Sequence, residues 1–223
     1  MMLFRKLESF PKLHEFAFIN RGLITGDRNK YFTNNKVSDK HVPILTGSDI
    51  KKYHYLIPSE YVLFERPKTA GGCWDKNVHF ADHKICVRQI GNEPIATLID
   101  EKFAVTGNIF TVIPKNLSIS KVFLGIINSN LIKYYWSIMF SDFKKSFPQV
   151  TIYSLSQIPI FGTTEHSEMT TLVNQILAAK KADPQSNTST LEAEINRLVY
   201  ELYGLTDEEI RIVEGNTDMI YKE

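Results

Sequence analysis

Only two cysteines, Cys73 and Cys86, occur in 223 residues, and they have no second pair. That count excludes a disulfide scaffold and a four-cysteine zinc site, and each thiol reads as a small buried residue. No apolar run reaches the roughly 18 residues of a membrane span. The opening MMLFRKLESF has no h-region and no small-residue cleavage site. A cytoplasmic protein with no membrane partner is expected. Also missing are the phosphate-cradling G-x-x-x-x-G-K, the dinucleotide loop G-x-G-x-x-G and the nucleophile elbow G-x-S-x-G. The six histidines are scattered. His79 and His83 stand four apart but lack further ligand-type residues at metal spacing, so no metal site is expected. Asp49, Glu65 and Lys68 bring acids and a lysine together, as a metal-dependent nuclease would. The spacing E-R-P-K nevertheless departs from the E-x-K that strand alternation puts on one face. No catalytic or metal-ligating residue is assigned.

A chain of this length buries a real core, and 43% hydrophobic with 23% charged residues excludes disorder and collagen-like repeats. The formal net charge of +1 conceals a split. Residues 1–163 carry 21 Lys and Arg against 13 Asp and Glu, whereas residues 164–223 carry 5 against 12. A basic body attracts a polyanion, and an acidic end is repelled by it. The doubled methionine reads as an added start, so the chain is expected to be a piece of something longer.

The stretch from Ile19 to Tyr53 reads INRGLITGDRNKYF, a polar interval, then PILTGSDIKKY. It sets Arg21, Arg28, Lys30, Lys51 and Lys52 among Gly22, Gly26 and Gly47, with Tyr31, Phe32 and Tyr53 close by. Glycine lets backbone approach a ligand, cations donate charge-assisted hydrogen bonds, and flat rings pack on sugars or bases. Such a mixture suits contact with phosphates and bases, although glycines also make ordinary turns and lysines ordinary surfaces.

In chain order, a short amphipathic helix stopping near Pro11 leads to an apolar run at 16–19 and the glycine loop 22–26. NKYF then reads as a returning strand. Val42–Leu45 is a strand, and Thr46-Gly47-Ser48-Asp49 a turn with an N-cap. After a strand at Glu60–Glu65, RPKTAGGCWDKN reads as a long loop in which Trp74 more often plugs a core than stacks a base. Strands follow at Lys84–Ile90, Ile95–Ile99, Phe103–Val105 and Asn108–Pro114, the last the most buried candidate. Cys86 is expected to point inward. From Lys121 to Phe140 the apolar period turns helical, with Gly125 marking the close approach of another element. SDFKKSFPQV places Lys144 and Lys145 beside rings, and VTIYSLSQIPI reads as strand-like. Striped helices at Ser167–Lys181 and Leu191–Tyr203 form a hairpin closed by Gly204, and Thr206 to Glu209 opens a last helix with T-x-x-E. The expected class is α+β: a curled, mostly antiparallel sheet body over 1–163 with packed helices, and a C-terminal helical hairpin with an acidic tail over 164–223.

INRGLITGDRNKYF, PILTGSDIKKY, KICVRQIGNEPIATLIDEKFAVTGNIFTVIP, LGIINSNLIKYYW, FPQVTIYSLSQIPI and LEAEINRLVYELYGLTDEEIRIVEG occur in this order. Together, over roughly residues 16–215, they resemble the TaqI-like C-terminal specificity domain of adenine-specific DNA methyltransferases and of fused type IIG restriction and modification enzymes. The resemblance implies a target-recognition module that clamps double-stranded DNA opposite a methyltransferase domain and is not catalytic on its own. The family's glycine-rich S-adenosylmethionine motif and N-P-P-Y/F are both absent from this sequence. S-adenosylmethionine and Mg2+ are therefore expected only in the parent's other domains.

Positions that match the family and are expected to contact DNA are Arg21, Thr25, Asp27, Arg28, Asn29, Lys30, Lys51 and Lys52. Arg88 falls in the family-like K-I-x-V-R, where a structural role is also open, and Arg28 or Gln89 is expected to reach base edges. Arg66, Lys68, Trp74, Lys76, Lys144 and Lys145 are added from their chemistry alone. The rival reading is a protein-interaction module docking through the striped helices on a catalytic domain or a second copy.

Overall fold

A computed structural model describes residues 2–140, 149–161 and 165–215. Helices α1 (Met2–Glu8) and α2 (Leu13–Phe16) lead into strand β1 (Ala17–Arg21). The helical turn α3 (Arg28–Tyr31) runs into β2 (Phe32–Thr33), followed by β3 (His41–Leu45), β4 (Ile50–Lys51), β5 (His54–Tyr55) and β6 (Glu60–Leu63). Then come α4 (Lys76–His79), β7 (Lys84–Arg88), β8 (Ala96–Ile99), β9 (Ala104–Val105) and β10 (Ile109–Pro114). The rest is helical: α5 (Ser120–Ile127), α6 (Asn130–Met139), α7 (Ile152–Ser156), α8 (Ser167–Ala182), α9 (Ser189–Leu202) and α10 (Asp207–Val213).

One sheet has the order β1-β10-β7-β8 and is antiparallel throughout. The second has the order β2-β6-β3-β9, with only β3 and β9 parallel, and β4 and β5 form a separate hairpin. Strand alternation sends Ile85, Val87, Phe110 and Val112 into a large cluster with the helices, and sends Cys86 and Ile109 into a smaller one with Leu45, Ile50 and Val105. The first sheet is thus covered on both faces, which is why β7 and β10 read as nearly unbroken apolar runs. The class is α+β, as the sequence implied.

Helices α8 and α9 lay their stripes on this body. Met169, Val173, Ile176, Ile195 and Val199 are buried in the same cluster as α5 and the sheet. At Gly125 a Cβ would stand 3.1 Å from Met169 Sδ, the close approach expected of that glycine. Each of these side chains contributes at most about 1.5–3 kcal/mol by leaving water. The stripe is therefore used within the chain and is not left open for a partner.

Three local expectations are corrected. NKYF is not a strand up to Tyr31: Asp27 accepts from Lys30 N at 3.2 Å and caps one helical turn, so β structure begins only at Phe32. The segment 121–140 is not one helix. It breaks at Asn128-Ser129, where Asn128 bonds both backbone groups of Ala96 at 3.0 Å and Ser129 caps α6. Thr151 and Ser154 form a capping box that makes helix α7 out of the β-branched and aromatic run VTIYSLS. In the first and third cases a cap outweighs strand propensity.

Candidate nucleic-acid interface

The register of the first sheet places two arginines at one end of its central strand. Arg21 on β1 lies opposite Phe110, and Arg88 on β7 lies opposite Ile109. Strands β3 and β9 of the second sheet run parallel and end at the same place, and Leu23 bridges to Thr106. Three turns of the form Thr-Gly-x converge there: Thr25-Gly26-Asp27, Thr46-Gly47-Ser48 and Thr106-Gly107-Asn108. The backbones cross so closely that a Cβ on Gly22 would lie 2.2 Å from Thr106 O. One on Gly72, which has φ +66°, would lie 2.0 Å from Gly22 O. Only glycine fits either position.

The crossing leaves two adjoining clefts. One, of about 600 Å3, is lined by Arg21, Thr25, Gly26, Arg28, Phe32, Thr46, Thr106 and Asn108. The other, of about 560 Å3, is lined by Thr46, Gly47, Ser48, Arg88, Ile90, Gly91, Asn92 and Asn108. Thr46 and Asn108 form the shared wall. Arg21 Nε donates to Gly107 O at 2.8 Å. Arg28 pairs with Glu60 and lies 4.2 Å over the Phe32 ring. Arg88 rests against Gly91, with its Nε buried and, among the described residues, without a partner. Thr106 Oγ1 is likewise buried without a partner among them. Among the described residues neither Arg21 nor Arg88 meets a carboxylate.

The other expected contact residues divide. Asp27 spends its carboxylate on the α3 cap, while Asn29 and Lys30 stand exposed, the ammonium 5.7 Å from the Tyr31 ring. Arg66 and Lys68 are exposed on a loop packed against the first cleft, where a Cβ on Gly26 would meet Thr69 Oγ1 at 3.1 Å. Trp74 donates to Gly71 O at 2.9 Å and packs 5.7 Å from Phe64, so it plugs the second sheet. Lys76 is exposed at the start of α4. The Gln89 backbone is held by Asn108 at 2.9 Å and Val150 at 2.7 Å. Lys51 is half-buried on the β4–β5 hairpin, and Lys144 and Lys145 lie outside the described residues.

Lys52 departs from the expected group. It pairs with Glu192 of α9 at 2.6 Å and lines a separate cavity of about 790 Å3 beside Asn196 and Glu214. Burial pushes the Glu192 carboxyl up, but hydrogen bonds from Lys52 and Thr188 outweigh it and hold the group below its ordinary value. The acidic end thus neutralises this one cation of the proposed set. Thr46, Thr106 and Asn108 were not anticipated as site residues, although the threefold Thr-Gly-x pattern was visible in the sequence.

The loop beneath the cleft is stapled by His79. Its Nδ1 accepts from Val105 N at 3.1 Å and its Nε2 donates to Cys73 O at 2.9 Å, which fixes one neutral tautomer. Burial is the main reason that its pKa lies below the ordinary imidazole value.

The family of TaqI-like C-terminal specificity domains matches residues 42–160, a little over half of the chain. No curated protein matches. Among solved structures, the type IIL restriction-modification enzyme MmeI in complex with DNA aligns at TM-score 0.59 and 10% identity, covering 92% of this chain and 35% of that one. The type IIG restriction endonuclease BpuSI aligns at TM-score 0.53 and 12% identity, covering 91% of this chain and 33% of that one. At such identities the likeness is one of fold. The chain spans about a third of the length of each.

Proposed function

This chain belongs to the TaqI-like C-terminal specificity domain family, and on that premise we propose that it recognises a DNA sequence for a larger restriction-modification or adenine-methylating enzyme. The adjoining clefts and their rims are the DNA-facing surface. Exposed Lys30, Arg66 and Lys68 neutralise phosphates and set the register, while side chains fixed inside the clefts distinguish bases. The observation that carries the reading is the pair Arg21 and Arg88, held at one end of the sheet in joined clefts with no carboxylate on either among the described residues. A structural ion-pair network would have placed acids there.

The domain is not catalytic on its own in this reading. A methyltransferase domain, in the same polypeptide or beside it, binds S-adenosylmethionine, and any cleaving domain binds Mg2+. The solved structures that share the fold are about three times longer and include an enzyme bound to DNA, which supports a division of labour of this kind. The rival, docking through the α8 and α9 stripe, loses its surface because that stripe is buried on the body.

Fluorescence anisotropy of a labelled duplex tests the reading. Binding at low salt should weaken linearly in log K against log salt, with a slope of roughly −0.9 per phosphate neutralised. No duplex binding at low salt, or an affinity indifferent to ionic strength, overturns it.

A further inference from the structure

Resting on the DNA-recognition reading above, we propose that Arg21 is a specificity-determining residue that reads the O6/N7 edge of a guanine. Three arginines line the joined clefts, and the use of their nitrogens separates them. Arg21 gives only Nε to the protein, to Gly107 O at 2.8 Å, so both Nη groups form a fork with no hydrogen-bond partner among the described residues. Arg28 spends Nη2 on Glu60 and lays its guanidinium on Phe32. Arg88 has no such anchor among the described residues: its Nε is buried without a partner there, and its Nη2 lies 3.3 Å from where a Cβ on Gly91 would stand. Arg21 therefore combines an anchored guanidinium with a free fork.

That combination suits a base edge better than a phosphate. Phosphate oxygens accept donors over a wide range of directions, and mobile exposed lysines satisfy them. Guanine offers two acceptors at fixed spacing in one plane, which parallel Nη donors match bidentately. Anchoring removes the entropy cost of holding the fork in that plane. The backbone of Arg21 is fixed as well, since its carbonyl accepts from Cys73 N at 2.9 Å and its strand pairs with β10. Thr106, 8% exposed, lines the same cleft with its hydroxyl oxygen buried and, among the described residues, without a partner.

The test selects duplexes from a pool with a randomised centre, using the wild-type chain, Arg21→Lys and Arg21→Gln. Each guanine of the wild-type motif is then replaced by 7-deazaguanine, which removes N7 and leaves every phosphate in place. The wild-type chain should lose about tenfold or more in affinity at one guanine. Arg21→Gln with the wild-type circular dichroism and melting temperature should ignore that replacement and select motifs without the guanine, and Arg21→Lys, which keeps the charge but loses the fork, should discriminate the guanine less than the wild type. An Arg21→Gln chain that still selects the full motif, with uniformly weaker binding and a salt slope smaller by about one, shows a phosphate contact and overturns the proposal. A wild-type motif with no guanine, or with none sensitive to the replacement, overturns it too while leaving DNA recognition intact. A wild-type chain that selects no motif sinks the DNA-recognition reading as well.

Discussion

Acid should loosen this protein through His79, and the size of the effect is bounded by the structure. The ring is buried, with its Nε2 hydrogen bonded to Cys73 O and its Nδ1 to Val105 N. Protonation would put a second donor against the Val105 N–H and a charge among Phe64, Phe80 and the buried Lys84 ammonium. Burial comes first in depressing the pKa; the bond to Cys73 O opposes it, Lys84 reinforces it and Asp75 opposes it. In the unfolded chain the imidazole titrates near its ordinary value of about 6.5. Below that pH the unfolded state binds a proton that the folded state refuses. Stability contributed by the neutral ring is therefore complete above about pH 6.5 and is lost as pH falls from there towards the depressed folded value. One proton sets the limit, roughly 1.4 kcal/mol per pH unit.

Urea unfolding at pH 7.5, 6.5 and 5.5 measures this, with His79→Gln as the reference. The variant should be less stable at every pH, since it disturbs two bonds to buried backbone, at about 1–3 kcal/mol. The readout is the difference in slope: the wild type should lose stability across this range faster than the variant, by no more than the one-proton limit. Equal slopes, or a wild type that gains stability as pH falls, would refute the argument. DNA affinity should follow, because the staple holds Cys73 and hence the loop carrying Arg66 and Lys68 against β9 and the cleft.

Three further predictions concern single positions. Lys30→Ala should make the salt dependence of duplex binding shallower by about 0.9, whereas Lys52→Ala should leave it unchanged because Glu192 already neutralises that ammonium; paired anisotropy titrations over ionic strength check both. Gly125→Leu should cost about 1–3 kcal/mol by overpacking, since Met169 Sδ and Val173 Cγ2 stand 3.1 and 3.4 Å from the Cβ position; a urea midpoint equal to wild type would show that α8 is free to shift.

What the sequence made legible was what it encodes locally. The run NIFTVIP, the stripes of α8 and α9, and the T-x-x-E box at Thr206 each carry a short-range signal, and each forms the expected element. The misreadings share a different cause. Asn128 interrupts a helical period in order to bond Ala96, 32 residues earlier, and no local pattern reports such a partner. Lys51 and Lys52 are neighbours of identical chemistry, yet one stays unpaired among the described residues and the other meets Glu192, 140 residues on. Composition found the cationic residues of the site and could not sort them, because the sorting is done by register and by the acidic helices.

The three Thr-Gly-x turns explain how a cleft of this kind could serve specificity. In each, the first two positions belong to the scaffold: Thr25, Gly47, Thr106 and Gly107 are buried, and Gly26 takes φ +78° beside Thr69. The third position, Asp27, Ser48 or Asn108, is exposed each time. Backbone crossings that only glycine permits thus fix where three side chains emerge; Asp27 turns back to cap α3, whereas the chemistry of Ser48 and Asn108 is left unconstrained by packing. Substituting Ser48 or Asn108 costs little core energy, whereas moving the turn itself would mean separating strands β1, β3 and β9. A surface built in this way can change what it reads without changing how it folds, and that separation is what a family of specificity domains with one architecture and many targets requires.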